Sequence, residues 1–119
     1  MTSMELAAVS GVEAQSETVW RQADRYKVPR LAFINKLDRI GADFDRVVND
    51  IHTRLRVKTV PVQIPTGLEK DFDGIIDLIE MQAIYYRDDL GNKIDVVDIP
   101  DELRAEADKH RHTMIEAVA

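Results

Sequence analysis

The chain has 119 residues, a net charge of −6 and a pI near 5.0, with 45% hydrophobic and 32% charged residues. That balance fits one modest soluble domain or part of a larger one. It excludes a disordered segment and binding of nucleic acid, sequence-specific DNA included, through bulk positive charge. Cysteine is absent, which excludes disulfides and thiolate zinc sites and suits a reducing cytoplasm; no apolar run approaches the ~18 residues of a membrane span, and residues 1–5 carry no signal-peptide pattern.

Residues 14–27 read as a helix. Val19, Ala23 and Tyr26 fall at i, i+4, i+7, with Trp20 beside them. Glu17 sits in the first turn, where the helix dipole favours an acidic group. Pro29 disfavours helical geometry at Val28 and ends the element. Trp20 is assigned to packing. Residues 30–34 form a short strand. Asp43 is placed to N-cap a second helix, on which Phe44, Val47, Val48, Ile51 and Leu55 make one apolar stripe. Arg46, Asn49, Asp50 and Arg54 face outward there, and His52 is a solvated histidine.

From Lys58 the period changes, so a boundary is drawn near Val57. Val60, Val62 and Ile64 alternate as on a half-buried strand, and Pro61 and Pro65 confine that strand to a sheet edge. Thr66-Gly67 turns the chain. Lys70-Asp-Phe-Asp-Gly74 is a turn, because a calcium loop needs a third oxygen ligand and a distal glutamate. Residues 74–86 read as one long strand-like run in which Asp77 faces solvent. Residues 87–92 are a hairpin-type loop, and 93–98 a third strand of an antiparallel sheet. Pro100 opens the last helix at a tolerated first-turn position. Leu103, Ala107, His110, Met114 and Val118 form its stripe. His110 and His112 are two apart, on different faces, which rejects a shared metal site. That helix reaches the last residue without a stop signal, so the natural chain is expected to continue.

The chemistry concentrates at Asn35-Lys36-Leu37-Asp38, where an apolar strand ends. Guanine presents two adjacent donors, N1–H and the N2 amine, and one carboxylate accepts both side by side. Adenine has an acceptor at N1 and no amine at C2, so Asp38 would face a lone pair. Asn35 can hold the loop and approach the O6/N7 edge. Lys36 can lay its stem along the base while its ammonium stays in water. Leu37 points toward packing. Alone, the tetrapeptide is also an ordinary surface composition. The strand before it and the helix after it favour the guanine reading, because ligands in open α/β sheets sit at the carboxyl ends of strands.

The flanks resemble elongation factor G, the ribosomal translocation GTPase. The segments Gly11-Val-Glu-Ala-Gln-Ser-Glu-Thr-Val-Trp-Arg-Gln-Ala-Asp24 and Tyr26-Lys-Val-Pro-Arg-Leu-Ala-Phe-Ile-Asn-Lys-Leu-Asp-Arg-Ile-Gly-Ala-Asp43 look like that family's helix, strand and guanine loop. Val60-Pro-Val-Gln-Ile-Pro-Thr-Gly67, Phe72-Asp-Gly-Ile-Ile-Asp-Leu-Ile79 and Asp98-Ile-Pro-Asp-Glu-Leu103 look like its insertion in the GTPase domain. The resemblance covers residues 8–119. Peptide-chain release factor three and the tetracycline-resistance ribosomal protection proteins share the early motif but resemble residues 60–103 less. Of the family's long central strand before Gly11, only Leu6-Ala-Ala-Val9 is recognised, behind a polar start.

The resemblance implies an α/β fold. Residues 1–57 would be a helix–strand–helix part of a P-loop GTPase core. Residues 58–119 would be an α+β inserted subdomain with a small antiparallel sheet and a C-terminal helix. It implies GTP and Mg as cofactors of a longer parent, the ribosome and its stalk protein as partners, and a cytoplasmic location. Glu106, Lys109 and Glu116, on the outer face of the last helix, are the candidate stalk contacts.

The departures are as informative. None of the five glycines makes Gly-x-x-x-x-Gly-Lys-Ser/Thr. Asp38-Arg-Ile-Gly41 and Asp88-Asp-Leu-Gly91 match Asp-x-x-Gly but lack the following His, and no Ser-Ala loop is present. Phosphoryl transfer depends on a phosphate cradle, a lysine, magnesium and an oriented water. This polypeptide alone is therefore expected to need no cofactor, and neither to bind nor to hydrolyse GTP. Two other readings stand beside this one. The chain can be an interaction module docking the stalk protein, or an enzyme of another class, for which no Ser-His-Asp, Cys-His or metal-ligand spacing exists. Strand edges left without neighbours also predict self-association.

Overall fold

The computed structural model describes residues 2–27, 30–88 and 92–119. The chain divides into two compact units, Met1–Thr59 with Leu68–Lys70, and Val60–Gly67 with Asp71–Ala119.

The first unit runs β1 (Thr2–Ala7), α1 (Ala14–Arg25), β2 (Arg30–Asn35) and α2 (Phe44–Arg54). β1 and β2 pair in parallel, with Met4 opposite Ala32 and Leu6 opposite Ile34. Parallel neighbours need a crossover, and α1 supplies it. β1 corrects the sequence reading, because the strand precedes residues 8–10, which form a turn. Its alternation explains this: Met4 and Leu6 are buried and Glu5 is exposed. Met4, Leu6, Val12, Trp20, Val47 and Ile51 form the core, with Ile34, Leu55 and Val57 against it.

Helix α1 buries Trp20 and Ala23, while Val19 and Tyr26 are exposed. The expected Val19–Tyr26 face is therefore rotated. The large indole takes the core position, and Tyr26 lies past the helix end. Lys27 is left-handed at φ 54°, and its N–H donates to the Asp24 carbonyl at 3.0 Å, which ends the helix locally. The break expected at Val28 and Pro29 lies outside the described residues. Helix α2 matches its stripe, with Val47 and Ile51 buried and Phe44, Val48 and Leu55 half-buried. His52 is exposed, and its Nδ1 lies 3.0 Å from the Val57 carbonyl.

The second unit is an antiparallel sheet, β3 (Gln63–Pro65), β4 (Gly74–Asp77), β5 (Gln82–Tyr86) and β6 (Ile94–Val97), in that spatial order, followed by α3 (Asp101–Val118). β3 is an edge strand, as the two prolines require, but it is shorter than the alternation from residue 58 suggested. The long run 74–86 is not one strand. Asp77 accepts from the N–H groups of Ile79 (2.9 Å) and Glu80 (3.2 Å), an Asx turn that folds β4 back onto β5. Met81 completes the turn at φ 57°. Ile79 is consequently 58% exposed despite its apolar character. Part of the hairpin-type loop at 87–92, residues 89–91, lies outside the described residues.

Ile64, Ile76, Ala83, Ala107 and Met114 are buried, with Leu78 at 0% exposure. In α3, Pro100 sits at the N-cap, one place earlier than expected, and Val118 leaves the stripe to be 76% exposed. Gly74 is required by close approach. A Cβ there would lie 2.3 Å from the Ile84 carbonyl oxygen.

Candidate functional site

The carboxyl end of β2 delivers residues 35–38 into a tight loop. Asn35 holds it in two ways. Its carbonyl accepts from the Ala8 N–H at 2.8 Å, and its Oδ1 accepts from the Lys36 N–H at 2.8 Å. Lys36 takes a left-handed backbone, φ 60°. For a residue with a Cβ this costs about 1–2 kcal/mol, and the Asn35 side chain offsets part of it. The Lys36 carbonyl accepts from Arg39 N–H at 3.2 Å, and Arg39 carbonyl from Ala42 N–H at 3.1 Å, so the loop is two successive turns.

Leu37 is buried and is the loop's anchor; its carbonyl accepts from the Glu69 N–H at 2.9 Å. Burial of Leu37 leaves its two neighbours outward. Lys36 and Asp38 are both exposed. The Asp38 carboxylate has no hydrogen-bond or ion-pair partner among the described residues. A carboxylate with four free lone-pair sites on a fixed loop can accept two adjacent N–H donors. The loop closes at Asp43, whose N–H donates to the Ala8 carbonyl (3.1 Å) and whose Oδ1 caps α2 by accepting from the Arg46 N–H (3.0 Å). Strand end, anchor and cap thus fix the tetrapeptide from three sides. Arg46 also donates to the carbonyls of Ala8 and Val9, a contact no sequence pattern signalled.

In the second unit Glu106, Lys109 and Glu116 are all exposed on α3, away from Ala107 and Met114. Two are already engaged locally: Glu106 with His110 Nε2 at 3.1 Å, and Glu116 with His112 Nε2 at 2.9 Å. Sequence reasoning missed Arg111. Its guanidinium donates to the Leu78 and Ile79 carbonyls, both at 2.6 Å, and fastens α3 to the β4–β5 turn. An arginine interrupting the half-buried side of a helix was the available signal. Burial raises the Tyr85 pKa above its ordinary 10.0, with further upward contributions from Asp73 and Glu102. Among the described residues no group of three His, Asp or Glu is placed to hold a metal ion.

The family described as the elongation factor Tu GTP binding domain matches residues 4–117. Elongation factor G from Thermotoga maritima is 55% identical over 112 residues, 94% of this chain and 16% of that protein. The Thermotoga neapolitana elongation factor G is 54% identical over the same shares. A solved structure from Thermus thermophilus superposes with a TM-score of 0.82 at 26% identity, covering 95% of this chain and 16% of that one. The chain therefore spans about one-sixth of the length of the relatives it matches.

Proposed function

The chain belongs to the elongation factor Tu GTP binding domain family and resembles elongation factor G, and from that premise we propose that it is the guanine-recognising segment of a GTPase that drives ribosomal translocation. Residues 1–57 serve as part of the GTPase core and 58–119 as its inserted subdomain. The observation that carries this reading is the exposed Asp38 carboxylate, without a partner among the described residues, on a loop anchored where a parallel strand ends.

In this reading Asp38 accepts from guanine N1–H and N2–H. Hydrogen bonds to a charged acceptor contribute roughly 1.5–3 kcal/mol each. Asn35 shapes the loop through the Lys36 N–H, and the Lys36 stem covers the base. GTP phosphates and Mg are held by other segments of the longer protein. Guanine contacts alone cannot offset the ordering cost of binding, so the 119-residue chain by itself has negligible GTP affinity and no hydrolysis. Calorimetry checks both halves. GDP should bind the full-length protein tightly and ADP should not, while the isolated chain should show no heat with GTP. Micromolar GTP binding by the isolated chain, or equal GDP and ADP affinity in the full-length protein, would defeat the reading.

The second unit presents Glu106, Lys109 and Glu116 as a docking face for the ribosomal stalk protein, in the cytoplasm. Unchanged α3 resonances on addition of the stalk protein's C-terminal domain would count against it. Self-association is assigned to β2, where Leu31 is 44% and Phe33 54% exposed beside a two-stranded sheet. Scattering that gives a compact monomer at high concentration would dismiss that part.

A further inference from the structure

The first unit holds a cavity of about 330 Å³ lined by Trp20, Arg21, Asp24, Arg54, Leu55 and Arg56. None of the guanine-loop residues lines it. Half of its walls are arginine in a chain whose net charge is −6. Two of its charged groups are committed. Arg54 pairs with Glu17 at 3.1 Å and donates to the Val12 carbonyl. Asp24 pairs with Arg30 at 2.7 Å, and that guanidinium lies 4.0 Å over the Trp20 ring. Arg21 and Arg56 are exposed and have no hydrogen-bond or ion-pair partner among the described residues. Trp20 is only 8% exposed, and its Nε1 is a buried donor without a partner among the described residues.

Free guanidinium forks match the two oxygens of a carboxylate. Phosphate would satisfy the charge but leave the half-buried Leu55 uncovered. A carboxylate on an apolar body meets both the two exposed arginines and Leu55. The volume lies at the lower end of the range for ligand pockets, about 300–1,000 Å³. We propose that this cavity docks an acidic peptide segment, its Asp or Glu carboxylate held by Arg21 and Arg56 and a neighbouring leucine-like side chain laid against Leu55 and the exposed edge of Trp20.

Trp20 is the sole tryptophan, so its emission reports occupancy directly. The probe is the capped peptide acetyl-Asp-Leu-Asp-Leu-amide, titrated into the full chain at low salt. A saturable change is expected. The Asn-Leu-Asn-Leu counterpart and inorganic phosphate should each bind at least tenfold more weakly. The double variant Arg21→Gln/Arg56→Gln should also lose at least tenfold. Lys58→Gln, an exposed charge change outside the cavity, should leave the affinity unaltered. Circular dichroism of each variant checks that the fold persists. Absence of saturation by millimolar peptide, equal response to the neutral peptide, or undiminished affinity in the double variant would overturn the proposal. Phosphate binding as well as the acidic peptide would replace it with a simple oxyanion site.

Discussion

Asp43 joins the loop to α2, and its replacement tests how that junction is held. The carboxylate accepts from the Arg46 N–H at 3.0 Å, at the first turn of a helix whose Val47 and Ile51 sit in the core. Loss of an N-cap acceptor costs about 1 kcal/mol. Loss of a negative charge at the positive end of the helix dipole costs about 0.5 kcal/mol more at an exposed site. Asp43→Ala should therefore destabilise the first unit by about 1.5 kcal/mol. Asp43→Asn keeps an acceptor oxygen and should cost only about 0.5 kcal/mol. Urea unfolding followed by Trp20 emission is the assay, because Trp20 packs in the same cluster as both α2 residues. If Asn proved as damaging as Ala, the side-chain oxygen would not be the cap. A loss below about 0.3 kcal/mol for Ala would show that the loop is held without it.

Arg111→Met should cost about 2 kcal/mol by urea unfolding followed by circular dichroism, because the part-buried Leu78 carbonyl loses a charged donor while the exposed Ile79 carbonyl regains water. An unchanged midpoint would show the contact to be incidental. Gly74→Ala places a Cβ 2.3 Å from the Ile84 oxygen and 3.0 Å from Tyr85 Cα, both backbone atoms that cannot swing aside. The two strands must part, at a cost of about 2 kcal/mol or more, and retention of wild-type stability would contradict the register. Tyr85 has a folded pKa above its ordinary 10.0, chiefly through burial and then through Asp73 and Glu102. Its contribution is complete below pH 10 and is lost as pH rises through the folded value. Tyr85→Phe should flatten that alkaline decline, and an equal decline in both proteins would refute the assignment.

The elements legible in the sequence were those whose pattern is local. The α2 stripe and its Asp43 cap need only residues 43–55, and both stand as read. The shape of the loop was legible because Asn35 holds it and Leu37 packs beneath it. The β4–β5 reversal was not, because Ile79 masks the turn and the deciding hydrogen bonds come from a single side chain, Asp77. The rotation of α1 was also hidden. Val19, Trp20 and Tyr26 are all acceptable core residues, and only tertiary packing chooses Trp20. Arg111 joins residues more than thirty positions apart, so its interruption of the helix side could be read but its partners could not.

In the proposed function a single negative group, Asp38, on an anchored turn decides which purine the longer protein accepts. The sharpest measurement compares GTP and xanthosine triphosphate turnover by the full-length protein before and after Asp38→Asn. The substituted amide offers a donor where xanthine carries an oxygen, so preference should swing toward the xanthine nucleotide. Unchanged preference for GTP would contradict the role assigned to residue 38.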